Sequence, residues 1–109
     1  MLNELQLRVL SGLHRYPEMF KATPVYLCGD EPWLTIRKAL EAYHIGKTDM
    51  LGLLRGMDAK YGQAHFDALL SVLENSMAVP RKRWVETQVR QLKAMAVRAH
   101  GKQEVRRAA

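Results

Sequence analysis

Apolar residues recur along this chain at three- and four-residue intervals, the period of an α-helix with one buried face. Leu5, Val9, Leu10 and Leu13 make the first such stripe, behind Asn3 and Gln6 at the spacing of a reciprocal N-terminal cap. The spacing predicts a helix that ends at Pro17, where "PEMF" opens a short second turn. "KATPVYLCGDEPW" breaks the period. Pro24, Gly29 and Pro32 forbid a continuous helix, and "VYLC" reads as a short extended piece.

Asp30 is the expected N-cap of the next helix, with Glu31 and Pro32 in its first turn. Trp33, Ile36, Leu40 and Tyr43 form its buried face, and Gly46 closes it. Thr48 and Asp49 restart the chain into "MLGLLRGMDAKYG". Leu51 and Leu54 are predicted to face the core there, with Met50, Leu53 and Met57 as further candidates and Gly62 as the stop. Phe66, Leu69, Leu70 and Leu73 pattern a fourth helix. After Asn75, Ser76 and Pro80 a long basic helix begins, with Gly101 as its expected end. The pattern therefore predicts an all-α fold, a compact bundle of five or six helices joined by short connections. The expected domain is residues 1–101, followed by a frayed basic tail at 102–109.

Composition sharpens this picture only slightly. At 109 residues and 48% hydrophobic content, one domain with a real core is expected. Aromatic residues are few, and Leu, Met and Ala prevail, which favours helices over sheets. Cys28 is the sole cysteine, so an internal disulfide is excluded. The N-terminus carries Glu4 early and has no long apolar run, and no segment approaches the ~20 apolar residues of a membrane span. A cytoplasmic protein without membrane contact is the expectation.

Charge changes the picture more. Residues 1–79 carry eight Lys/Arg against nine Asp/Glu, a net of −1, whereas residues 80–109 carry nine against two, a net of +7. The whole excess lies in the last helix and its tail, either as the footprint of an anionic partner or as a solvated polar face. At 100° per residue, Trp84, Val85, Val89, Leu92 and Met95 fall along one side and predict a packing or interface stripe. Arg81, Lys82, Arg83, Arg90, Lys93 and Arg98 are the candidate contacts for nucleic acid or another partner. Arg81, Lys82 and Arg83 stand where the helix dipole disfavours cations, by about 0.3 kcal/mol or more each at an exposed site. Trp84 fits the apolar stripe, so no stacking platform for single strands is in view.

Chemistry is sparse. His14, His44, His65 and His100 form no HxxxH pair and the lone Cys28 no CxxC, so no metal site is expected. Cys28 beside Gly29 leaves a nucleophile conceivable, with no histidine near it in sequence. "GLLRGMDAK" lacks the Gly-Lys-Ser/Thr of a phosphate-binding loop. Gly52 and Gly56, four apart on one helix, predict close approach of another helix. Otherwise they are two helix glycines costing up to ~1 kcal/mol each. No catalytic residue, cofactor or metal is assigned.

The opening "ELQLRVLSGLHRYPEMF" carries a family likeness. Glu4, Gln6, Val9, Leu10, Gly12, Leu13 and Pro17 resemble the start of the N-terminal domain of DnaB-type replicative helicases, and that of the related helicase-binding C-terminal domain of DnaG-type primases. "EPWLTIRKALEAY", the Gly46–Asp49 turn and "RKRWVETQVRQLKAMAVR" follow in the same order over residues 3–100. The histidine that usually precedes the second helix of the helicase pattern has no counterpart. The resemblance implies a non-enzymatic replisome module that binds a replicative helicase or primase, recruiting, loading or inhibiting it. It also implies an apolar face left open on the bundle, and self-association as a homodimer. The alternative, from charge alone, is a small basic helical protein that binds nucleic acid or joins or inhibits a nucleoprotein complex. An enzyme using Cys28 is the weakest of the three readings.

Overall fold

The computed structural model describes the backbone of residues 1–108 and the side chains of residues 1–99. Five α-helices and two short 3₁₀ helices follow one another: α1 (Glu4–Arg15), 3₁₀ helices at Pro17–Ala22 and Val25–Leu27, α2 (Trp33–His44), α3 (Met50–Tyr61), α4 (Gln63–Ser76) and α5 (Lys82–Ala108). The fold is all-α, as the periodicity predicts.

α1 is the central element. Val9, Leu10 and Leu13 are fully buried, and Ser11 and Gly12 between them are buried as well. Such all-round burial follows from its neighbours, since α1 packs on α2, α4 and α5. Its start is the reciprocal cap read from sequence. Asn3 Oδ1 accepts the Gln6 N–H at 2.8 Å, and Gln6 Oε1 accepts the Asn3 N–H at 3.1 Å. Gly12 is needed for closeness: a Cβ there would lie 2.6 Å from Val85 Cγ1. α5 therefore crosses α1 at the only α1 position that has no side chain to displace it.

α2 ends in a Schellman motif, with Gly46 at φ +85°. The Lys47 N–H reaches the Ala42 carbonyl at 2.9 Å and the Gly46 N–H reaches that of Tyr43 at 3.1 Å. Asp49 caps α3 by accepting the Gly52 N–H at 2.7 Å. Gly62, at φ +87°, turns α3 directly into α4.

The 17–32 segment departs from its sequence reading. Residues 25–27 form a 3₁₀ turn, and only Cys28 after it is extended. Asp30 does not cap α2; its carboxylate accepts from Gln6 Nε2 at 3.1 Å, tying the segment to α1. Glu31 takes the capping role, accepting the Thr35 N–H at 3.3 Å. Two side chains of α2 hold the segment from beneath. Trp33, fully buried, donates its indole N–H to the Val25 carbonyl at 3.0 Å. Arg37, 3% exposed, donates to the Thr23 carbonyl at 2.7 Å and the Phe20 carbonyl at 3.1 Å. It also pairs with Glu41, and its guanidinium carbon lies 4.6 Å from the Phe20 ring centre. A buried guanidinium is costly unless its donors are satisfied. Here the Thr23 carbonyl, just past the first 3₁₀ helix, and the Phe20 carbonyl, which also accepts the Thr23 N–H, supply those bonds.

Other expectations shift by a helical position or more. Leu53 and Met57 are the buried residues of α3, while Leu51 is 54% exposed. Leu69 and Val72 are the buried hydrophobics of α4, with Phe66, Leu70 and Leu73 half-buried. α5 continues past Gly101, so the expected stop there is not a helix end. The side chains of the expected tail at 102–109 lie outside the described residues.

Candidate interaction surfaces

α5 is anchored by its first three turns. Val85, Gln88, Val89 and Leu92 are buried, and Trp84 is half-buried against the α1–α4 side beside Leu7, Ser11 and Val79. Gln88 enters the stripe uninvited by the sequence pattern, and its Oε1 has no hydrogen-bond partner among the described residues. Met95, expected in the stripe, is 49% exposed. The cause is length. At 1.5 Å per residue, the twelve residues of α1 extend about 18 Å and the twenty-seven of α5 about 40 Å, so α5 outruns the helix it packs on. Beside Met95 there is only the 26–30 loop and the end of α1, across a shallow cleft. Val97, at 71% exposure, lies still further out.

Arg81, Lys82, Arg83, Arg90 and Arg98 are exposed, and Lys93 is half-buried. Lys82 pairs loosely with Glu18 at 3.6 Å. The other five form no ion pair among the described residues. The structure thus gathers the candidate cations along one helix, but does not converge them on a point.

A second surface escaped the sequence reading. α2 and α3 diverge from their connection and leave a groove of about 410 Å³. Leu34, Ala39, Ala42, Leu53, Gly56 and Met57 make its floor and walls, with Lys38 and Lys60 along the rims. The expected helix contact at Gly52 and Gly56 is absent, and the two glycines have different reasons. A Cβ on Gly52 would lie 2.3 Å from Thr48 Oγ1 and 3.1 Å from the capping Asp49 Oδ1, so a side chain there crowds the start of α3. A Cβ on Gly56 would meet nothing within 4 Å. Gly56 costs its helix about 1 kcal/mol relative to alanine with no packing need inside the chain.

The shifted titratable groups owe their shifts mainly to burial and to their near neighbours. Burial pushes the Cys28 thiol up, with the nearby Asp30 charge adding to the rise against a lowering bond from Gln6. That direction keeps the thiol protonated, opposite to an activated nucleophile. His14 and His44 meet at 3.1 Å between ring nitrogens, beside Tyr43 and Phe20. Burial lowers both pKa values, and for His14 the neighbouring His44 lowers it further. His65 contacts Glu31 at 3.2 Å. For the Glu31 carboxyl, burial pushes upward, but hydrogen bonds from Thr35 and His65 outweigh it and hold the group below its usual range. Among the described residues no three His, Cys, Asp or Glu side chains gather as metal ligands, and no helix is long and apolar enough to cross a membrane. Comparison with protein-family models, curated proteins and solved structures gives no match.

Proposed function

We propose that this protein is a non-enzymatic interaction module that docks a partner protein into the α2–α3 groove. The observation that carries the reading is Gly56, a mid-helix glycine with no intramolecular reason, at the floor of an uncovered groove. A backbone that must be approached closely from outside is a physical reason for such a residue. The groove runs along two twelve-residue helices, about 18 Å, long enough for some three turns of a partner helix. Its floor is apolar or small, with Glu31, Lys38 and Lys60 as the charged residues of its lining.

The partner to test first is a replicative helicase or primase. Support for that choice is the likeness of residues 3–17 and of the element order to the helicase and primase modules. An open apolar face is also what such a module needs. The purified, folded protein is expected to capture a purified DnaB-type helicase or DnaG-type primase. Capture of neither removes the replisome part of the reading.

A further inference from the structure

We infer that the outward face of α5 binds duplex nucleic acid, independently of the groove. At 100° per residue, Arg83 and Arg90 lie about opposite the buried Val85–Val89–Leu92 stripe, with Lys93 to one side and Arg98 to the other. Arg83, Arg90 and Arg98 are spaced about 10 and 12 Å along the axis. Between them stand Thr87 and Ala94, small enough to let the helix sit deep. Glu86 is the one carboxylate near this face among the described residues, and it is half-buried and unpaired. An α-helix of this kind matches the roughly 12 Å width of a DNA major groove, with arginines reaching phosphates on either wall.

Three observations favour a duplex over other polyanions. The described outward face has no aromatic residue, so bases of a single strand have nothing to stack on. The Val85–Val89–Leu92 stripe of α5 is consumed within the bundle, which leaves only Met95 and Val97 of its large apolar side chains exposed to a lipid interface among the described residues. The charge is segregated, with residues 1–79 at net −1 and residues 80–109 at net +7, so only this end of the molecule attracts a phosphate backbone.

The test is fluorescence anisotropy with a labelled DNA duplex of about 20 base pairs in the full chain's presence. Three phosphate contacts predict a slope of log affinity on log salt near −3, about 40-fold weaker binding from about 50 to 200 mM salt. Substituting Arg83→Ala, Arg90→Ala and Arg98→Ala together is expected to weaken binding tenfold or more at low salt and to flatten the slope. The three side chains are exposed, and a helical circular-dichroism spectrum checks that the variant is folded. A control removes the same charge elsewhere, at the exposed Lys47, Arg55 and Lys60, and should leave affinity within about twofold. No duplex binding at about 50 mM salt overturns the inference. So does equal loss in the control, which would mean diffuse charge attraction. Capture by phosphatidylserine vesicles, or by a single strand, in preference to the duplex overturns it as well.

Discussion

Arg37 shows how much a single residue can settle. It is buried, yet bonded to two carbonyls of the irregular segment, to Glu41 and to the Phe20 ring face. Replacing it by methionine keeps the apolar stem but removes the donor to the Thr23 carbonyl and leaves the Phe20 carbonyl with the Thr23 N–H alone. A loss of about 3 kcal/mol is expected by urea unfolding. Arg37→Lys should not rescue it fully, because an ammonium cannot reproduce the planar fork. A loss below about 1 kcal/mol would show that water serves those carbonyls equally well. Nothing in the sequence distinguished Arg37 from the seven other cations of residues 1–79; its role depends on where the chain returns after Pro24. Gly52 and Gly56 make the same point. They look alike in sequence, yet one is crowded by Thr48 and Asp49 and the other faces open space.

At the scale of elements, periodicity and caps were legible because they are local. Asn3 with Gln6, Asp49 with Gly52, and the glycines at 46 and 62 act within one helical turn, and each stands where its spacing places it. The 25–32 segment was not legible, because its conformation is set by Trp33, Arg37 and Gln6 from other elements. The far limit of the α5 stripe was hidden for a similar reason: Met95 has the right phase, but it faces the 26–30 loop and the first residues of α1 across a shallow cleft. Leu92→Ala is therefore expected to cost about 2–5 kcal/mol, and Met95→Ala under about 0.5 kcal/mol, by chemical denaturation. Equal costs would place the edge of the bundle further along α5. Where α1 and α2 end together, His14 and His44 predict a pH response. Their folded pKa values lie below the model-peptide value of 6.5, so the unfolded chain takes up protons first as pH falls. Stability is then full above about pH 6.5 and erodes as pH drops toward the folded values. The urea midpoint should fall between about pH 8 and pH 5.5, and His44→Phe should flatten that fall. A midpoint that rises on acidification would contradict the neutral pair.

The whole molecule carries its open groove and its basic helix on different elements. Its principal extents of 49 × 32 × 22 Å describe a body drawn out in one direction, consistent with α5 continuing beyond the helices that support it. The basic helix was visible in the sequence as a charge asymmetry, and five of the six candidate cations lie on that element, with Arg81 just before it. The α2–α3 groove was not visible, because divergence of two helices is a property of their packing and leaves no periodic signature. The proposed docking site is the α2–α3 groove, left open for a partner. Gly56→Leu tests it most directly, because the added side chain enters open space and relieves a helix glycine. The measurement is the affinity of the wild-type and Gly56→Leu proteins for the helicase or primase, by calorimetry, beside their unfolding free energies. Stability is expected to be unchanged or up to about 1 kcal/mol higher, with affinity reduced tenfold or more. A Gly56→Leu protein that is folded and binds as tightly as the wild type would contradict it.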